Sequence, residues 1–419
     1  MPMSEKGNFS QLKSIAPRGL APALPKRILA LDGLRGLAIL LVLAFHIFSR
    51  ERRGLPVLDW FFELLGAGWI GVDLFFVLSG FLITGILLES RGQAGYLTGF
   101  YGRRVLRIFP LYYGCAAVVF LVIARLPIPK PIGFYRLHAE QVWVWLYATN
   151  IFSSMTGLIG PSAGPIGFGH FWSLAVEEHF YLVWPIVVLA IPRRWIPIAV
   201  IAVTLLSLLA RCWFVIVRHD PLSAYVLTPC RIDGLTIGGL CAVLLRDPVF
   251  FEVTIRLSKV IIVVAGIGLI ALYTGTRLDF MARSVAIGGF TMLALFFAAL
   301  LVVLATSAEG TLLRRTFECS TLRFFGKYSY GLYALHMFVM GLLIDNRAMG
   351  AAFARAFHSQ TMGGWCLEVL TFLASVAAAY ASWHLFEKHF LKLKRFLDLE
   401  HLTVPTTVAE IATSGVSIP

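Results

Sequence analysis

Apolar runs of near-spanning length recur along the whole chain, and short segments between them hold most of the charged residues. A helix needs about 20 apolar residues to cross the hydrocarbon core of a bilayer. The pattern predicts an all-α fold, a polytopic transmembrane helix bundle with about ten spans. The predicted spans are 31–49, 69–88, 108–124, 171–191, 196–216, 231–245, 259–275, 284–305, 324–344 and 366–386.

One further segment, EQVWVWLYATNIF at 140–152, is apolar but too short to be assigned with the others. Its aromatic side chains suit the boundary between headgroups and hydrocarbon. We therefore expect an interfacial or re-entrant helix at this position, with an eleventh span as the alternative.

The composition agrees with a membrane protein and helps to orient it. Hydrophobic residues make up 58% of the chain and charged residues only 14%, whereas soluble domains have about a quarter of their residues charged. Most of the 36 Lys and Arg residues fall on the side of the bundle that holds both termini, which predicts cytosolic N- and C-termini. The net charge of +13 follows from this bias, so a nucleic-acid partner is not expected.

The ends of the chain and its cysteines carry no further chemistry. Residues 1–27 lack the pattern of a cleavable signal and are expected to form a flexible cytosolic leader, and 393–419 a cytosolic tail. This leaves 28–392 as the single membrane domain. The six cysteines have no metal or redox spacing, so they are interpreted as packing residues and no metal site is predicted.

The first span carries two ionisable side chains that are rare in hydrocarbon. Arg35 and His46 are eleven residues apart, which places them within about 20° of each other on a helix and about 16 Å apart along it, with Asp32 close by. Such groups normally face a cavity and mark a functional site. The alternative is an orientation signal at Arg35 and a packing histidine at 46.

The second and third spans add candidates of opposite charge. Asp73, near the outer end of the second span, needs a partner or a cavity. Arg103, Arg104 and Arg107 precede the third span at its predicted cytosolic mouth. They form either a positive-inside stop signal or a clamp for phosphate. The second alternative is chemically suitable because one guanidinium group can donate two hydrogen bonds to phosphate oxygens.

Later spans supply candidates for binding a substrate. Glu177 lies two helical turns from His170, and two adjacent carboxylates, Glu177 and Glu178, cannot both face lipid. In the ninth span, Ser329, Tyr330 and His336 form a third polar group, although His336 could instead be a satisfied core histidine. Arg231 and Asp233 are expected to make a structural polar contact.

These motifs, in this order, resemble the motif series of acyltransferase family 3, whose members are integral-membrane acyltransferases that modify cell-surface glycans. The resemblance covers about residues 28–392. It rests on LDGLRGLAILLVLAFH, GVDLFFVLSGFLIT, RRVLRIFPLYY, HFWSLAVEEHFYLVWP and SYGLYALHMF. The family's Arg–His pair corresponds to Arg35 and His46, its Arg-x-x-Arg motif to Arg104 and Arg107, and its Trp-Ser…Glu-Glu motif to Trp172, Ser173, Glu177 and Glu178. Two departures are His179, where the family has Gln, and the expected lack of an extracytoplasmic esterase-like domain.

The resemblance and the residues together predict acyl transfer from acyl-CoA, with acetyl-CoA as the expected co-substrate, to a hydroxyl of a cell-surface or exported glycan at a bacterial inner membrane. No permanently bound cofactor is expected. His46 is the expected base, Glu177 or Asp73 would orient it, and Arg35 would hold the donor's phosphate or polarise its carbonyl. An acyl-His46 intermediate is the mechanistic alternative, and a proton-coupled transporter the functional one.

Overall fold

The fold is known from a computed structural model that describes residues 28–49, 56–130, 132–163 and 166–399. The predicted leader at 1–27 lies outside the described residues, and so does the part of the predicted tail from 400 to 419. The tail segment before it is helical, and the side chain of Leu397 packs beside Gly102.

The described chain is almost entirely helical, with one short antiparallel pair of strands. The helices of the first half are α1 Leu29–Leu43, α2 Pro56–Gly66, α3 Gly71–Ser90, α4 Tyr96–Ala117, α5 Phe134–Ala139, α6 Val142–Trp145, α7 Thr149–Thr156 and α8 Trp172–Ala190. Strands β1 Ser162–Ala163 and β2 Ile166–Gly167 pair just before α8. The second half contains α9 Ile196–Cys212, α10 Pro221–Val226, α11 Thr228–Leu244, α12 Phe251–Thr276, α13 Phe290–Thr306, α14 Leu312–Glu318, α15 Ser320–Leu343, α16 Arg347–Ala356, α17 Gln360–Ser382, α18 Lys388–Lys392 and α19 Lys394–Leu399.

The membrane-length helices confirm the predicted bundle. In the described part of the chain, nine continuous helical stretches are long and apolar enough to cross a bilayer: Leu29–Phe48, Phe61–Ser90, Tyr96–Arg125, Gly169–Ala190, Arg193–Val217, Pro221–Leu244, Phe251–Thr276, Val285–Thr306 and Gln360–Leu397. The pair α15 and α16 is long and apolar enough for a tenth when the two helices are taken together, although they are bent by 68°. Each predicted span overlaps one of these ten, so the protein is a polytopic helical membrane protein.

Among the predicted boundaries that differ from the structure, two concern the neighbourhood of the site. The segment 140–152 is not one helix, because it divides between α6 and α7, neither of which is long enough to span. The third membrane helix begins at Tyr96 instead of 108. It can extend further because two of its arginines, Arg104 and Arg107, line an internal cavity, where a charged side chain need not meet lipid.

Burial separates the central helices from those that face lipid. Within the stretch Phe61–Ser90, which contains α3, 72% of the residues in its most apolar, membrane-length segment are buried inside the protein. The corresponding share for α12 is 11%. The exposed side chains of α12 include Val260, Val263 and Ile267. Apolar side chains on the outer surface are the expected contact with lipid tails.

Two close contacts between parallel helices hold the centre together. A β-carbon on Gly36 of α1 would lie 1.9 Å from the carbonyl oxygen of Leu322, and one on Gly326 of α15 would lie 1.8 Å from that of Asp32. The two helices therefore touch backbone to backbone, as small residues permit in membranes. Gly80 of α3 and Gly238 of α11 form a second contact of the same kind.

Candidate functional site

A cavity, here called the inner cavity, lies among α1, α3, α4, α8 and α15. Its wall combines apolar side chains with polar ones, and four ionisable side chains of opposite sign meet in it. These are Arg35, Arg104, Arg107 and Glu177. The polar residues among the other lining side chains are Ser79, Ser173, Tyr181, Ser329, Tyr330 and Tyr333.

A second cavity, here called the outer cavity, adjoins the first near the start of α1. Arg35, Arg107 and Tyr330 line both, so these three side chains form the shared wall. The outer cavity is also lined by Asp32, Arg323, Gly326, Lys327, Trp383, Glu387 and Leu391. Its four cationic side chains outnumber its two carboxylates, which makes it suited to an anionic ligand.

Two of the three α4 arginines line a cavity, and the third does not. Arg104 and Arg107 are three residues apart on one helix face and both line the inner cavity, whereas Arg103 is absent from the walls of both cavities. The Arg104 guanidinium lies 5.7 Å from the centre of the Tyr181 ring. Its buried Nε has no hydrogen-bond partner among the described residues. A donor left unpaired inside a cavity is available to an anionic ligand.

Arg35 occupies the junction between the two cavities. Its guanidinium lies 3.8 Å from the carboxylate of Asp32, three residues earlier in α1, and about a quarter of each side chain is exposed. At that distance the ion pair is loose, so it leaves part of the charge of Arg35 directed toward the cavity.

Glu177 is bound to a chain of hydroxyl groups within the inner cavity. The Tyr181 hydroxyl donates a hydrogen bond of 3.1 Å to Glu177 Oε2, and the Ser79 hydroxyl contacts that of Tyr181 in turn. Glu178 does not line either cavity, and its buried Oε1 has no hydrogen-bond partner among the described residues.

Three histidines, here called the histidine cluster, lie together beyond the inner cavity. His46 follows α1 in a π-helical turn, His336 is in α15, and His170 precedes α8. The His336 ring lies with its centre 5.0 Å from that of His46 and 5.4 Å from that of His170. His336 and His170 are buried, whereas His46 is half-buried.

Tyr333 and Ser173 lie at the boundary between the inner cavity and the histidine cluster. The Tyr333 hydroxyl donates to the carbonyl oxygen of His170 at 2.5 Å and accepts from Ser173 Oγ at 2.6 Å. His46 is absent from the residues that line the inner cavity. The Tyr333 side chain therefore separates the arginines from the histidines in this conformation.

The group that the structure brings next to His46 is His336, not the predicted Glu177 or Asp73, and the role of those two carboxylates in orienting His46 stays a prediction. Among the described residues, His46 Nδ1 contacts the carbonyl oxygen of Val42 at 3.1 Å and Nε2 of His336 at 3.2 Å. Asp73 instead accepts a hydrogen bond of 2.7 Å from Arg231, and both side chains are buried. A buried carboxylate is stable only when it is paired, and a guanidinium from α11 meets that need.

The remaining predicted residues divide between cavity wall and packing. Trp172 does not line either cavity; its ring lies 5.8 Å from the Arg231 guanidinium, beside the Asp73 ion pair. Ser329 and Tyr330 do line the inner cavity, and the Tyr330 hydroxyl donates to the carbonyl oxygen of Ile108 at 2.5 Å. Arg231 and Asp233 make structural contacts, as expected, since Arg211 donates to Asp233 at 2.9 Å.

Sequence reasoning missed several residues of the site. Tyr181 follows Glu177 by four residues, the spacing of neighbours on one helix face, and that signal could have identified it. The same spacing relates Arg323 to Lys327. In the part of the chain that the structure describes, His, Cys, Asp and Glu form no group that could hold a metal ion.

The fold and the site define a helical membrane protein with a basic cavity that leads toward buried histidines. The sequence model of the family described as "Acyltransferase domain" matches residues 28–384, so the chain belongs to this acyltransferase family, family 3. The chain is 29% identical over 329 residues to the peptidoglycan O-acetyltransferase OatA of Listeria monocytogenes, covering 74% of this chain and 49% of that protein. It is 27% identical over 327 residues to the O-acetyltransferase OatA of Staphylococcus aureus, covering 74% of this chain and 50% of the relative.

The chain thus spans about half the length of the curated relatives it matches. No solved structure gave a significant match.

Proposed function

We propose that the protein is a membrane O-acyltransferase that transfers an acetyl group to a hydroxyl of a bacterial cell-wall glycan. The observation that carries this proposal is the arrangement of the inner cavity, which is lined by arginines and ends at Tyr333, next to the histidine cluster. Membership of the acyltransferase family supports the reaction. The names of the relatives, which are O-acetyltransferases, support acetyl as the group and peptidoglycan as a candidate acceptor.

Acyl-CoA is the proposed donor, because the two cavities combine cationic side chains with a wall that is partly apolar. The phosphates would bind in the outer cavity and at the shared wall, where Arg35, Arg107, Arg323 and Lys327 meet. The pantetheine arm, which extends over roughly half a bilayer, would lie in the inner cavity toward Tyr333. This route places the donor at the cytosolic face if both termini are cytosolic, as we also propose for an enzyme of the bacterial inner membrane.

In the proposed reaction His46 acts as general base. Its imidazole takes the proton of the acceptor hydroxyl as the oxygen attacks the thioester carbonyl. The tetrahedral intermediate then expels the CoA thiolate, which receives the proton from His46, so that the products are the glycan ester and CoA thiol. Because the Tyr333 side chain separates the inner cavity from the histidine cluster, its ring must move before the thioester carbonyl reaches His46.

The polar groups of the inner cavity have proposed roles that depend on their position. Arg35, at the junction, would bind the donor and help to neutralise the charge that develops on it. Glu177, held by Tyr181, would balance the guanidinium groups when no donor is bound. Ser329 and Tyr330 would contact the pantetheine arm, since both line the inner cavity.

The test is release of CoA thiol by the protein reconstituted in nanodiscs with acetyl-CoA and fragments of peptidoglycan. We expect thiol release that requires the glycan, and an acetyl ester on the glycan by mass spectrometry. Acetyl-pantetheine, which lacks the nucleotide, distinguishes a CoA donor from any small thioester. Glycan movement across proteoliposomes without ester formation would instead support a transporter.

Replacing Arg107 with glutamine should raise KM for acetyl-CoA about tenfold to a hundredfold, because a hydrogen bond to a charged group contributes about 1.5–3 kcal/mol. The reason is that Arg107 lines both cavities and would contact the phosphates. Initial rates over a range of donor concentrations measure this effect. We expect kcat to change only a few-fold, and KM for acetyl-pantetheine to stay near the wild-type value.

Arg103→Gln is the matched control, since Arg103 is on the same helix but lines neither cavity. Equal increases of KM for the two variants would argue against a phosphate site at the shared wall and for a general effect of positive charge.

A further inference from the structure

The contact between His46 and His336 joins two membrane helices that are far apart in sequence. His336 Nε2 lies 3.2 Å from His46 Nδ1, within hydrogen-bond distance. His336 is fully buried. Each histidine follows, by ten residues, a glycine of the Gly36–Gly326 contact, which brings together the two helical segments that carry the rings.

The surroundings of His336 determine where its proton lies. Its Nδ1 is 3.0 Å from the carbonyl oxygen of Leu332 and 2.8 Å from that of Tyr333. Carbonyl oxygens only accept hydrogen bonds, so Nδ1 must carry the proton. A second proton on Nε2 would place a charge on a fully buried ring, which is costly. Nε2 of His336 is therefore an acceptor.

The same reasoning applied to His46 identifies its basic atom. His46 Nδ1 faces two acceptors, Nε2 of His336 and the carbonyl oxygen of Val42. Both contacts require a proton on Nδ1, and a neutral imidazole has only one. The unprotonated nitrogen of His46 is then Nε2, on the other side of the ring. A hydrogen bond from one ring nitrogen sets the tautomer and the direction of the other.

We propose that His336 is a positioning residue that holds His46 in the Nδ1-protonated tautomer, so that Nε2 is the atom that takes the acceptor's proton. The assignment of the proton-accepting atom rests on the proposed function, whereas the tautomer does not. The role parallels that of the carboxylate in a catalytic triad, but with a neutral imidazole as the hydrogen-bond acceptor. His170 makes different contacts. Its Nε2 lies 3.3 Å from the carbonyl oxygen of Ala334, and its ring packs edgewise on His336.

The first experiment reads the tautomer directly and needs no activity. Protein labelled with 15N-histidine is reconstituted in nanodiscs, and the His46 signals are assigned by their loss in His46→Gln. We expect a protonated Nδ1 and an unprotonated Nε2 in the wild type. A His46 ring protonated mainly at Nε2 would overturn the proposal, whatever reaction the protein catalyses.

The second experiment compares two substitutions of His336 by their kinetics. Glutamine places an amide oxygen near the position of Nε2 and can still accept from His46, whereas leucine cannot. We expect His336→Leu to lower kcat at least tenfold with KM for donor and glycan unchanged, and His336→Gln to stay within about threefold of wild type. His138→Leu, a half-buried histidine packed against Phe134 and Phe120, is the control for loss of an imidazole elsewhere.

The outcomes separate the alternatives. Equal losses for glutamine and leucine would overturn the proposal, because they would mean that the imidazole of His336 itself takes part in the chemistry. Wild-type kcat in His336→Leu, or a loss explained by less folded protein, would also overturn it. If the wild type itself transfers no acyl group, the proposed function fails, and the 15N measurement still decides the tautomer.

Discussion

We expect His46→Gln to transfer acyl groups about a thousand times more slowly than the wild type. General acid–base catalysis contributes about a hundredfold to ten-thousandfold, and an amide of similar size cannot take the proton of the acceptor hydroxyl. Acceptor-dependent thiol release, at equal amounts of folded protein in nanodiscs, measures the loss. Binding of CoA should be unchanged, because His46 lines neither of the two basic cavities.

His138→Gln is the matched control for this prediction, since His138 is half-buried on the short helix α5 and lines neither cavity. Its rate should equal that of the wild type. A wild-type rate in His46→Gln would remove His46 from the chemistry and direct attention to Glu177, the carboxylate in the wall of the inner cavity. Loss of CoA binding in His46→Gln would mean that the histidine cluster affects binding in the two basic cavities.

Most of the fold could be predicted because hydrocarbon imposes a simple rule on the chain. Every backbone polar group in lipid must be paired within its own segment, so apolar length alone identifies the helices. The rule fails where a segment is short and enclosed by protein. At 140–152 the chain instead forms α6 and α7, and the Tyr112 hydroxyl bonds to the carbonyl oxygen of Val144.

The candidate site was predictable along each helix but not between helices. The eleven-residue spacing relates Arg35 to His46 because both belong to one helix. No spacing relates His46 to His336, which is 290 residues away, or Asp73 to Arg231. Those pairs depend on which helices become neighbours, and that choice is made by close backbone contacts at glycines that resemble any other small residue in the sequence.

The contact of α1 with α15 is the feature of the fold on which the site depends most, and Gly326→Ala should disrupt it. The new methyl group would lie 1.8 Å from the carbonyl oxygen of Asp32, which belongs to the backbone and cannot rotate away. The helices must separate, at a cost of about 1–3 kcal/mol or more. We expect a much lower yield of monodisperse protein in detergent and a lower melting temperature.

Gly350→Ala is the control, because a β-carbon at Gly350 of α16 meets no atom within 4 Å and the change only improves helix propensity. Wild-type stability of Gly326→Ala would contradict the close contact. Any Gly326→Ala protein that does fold should lose transfer activity, since a wider spacing of the two helices lengthens the 3.2 Å bond from His46 to His336. The same glycine would then determine both the stability of the bundle and the orientation of its proposed base.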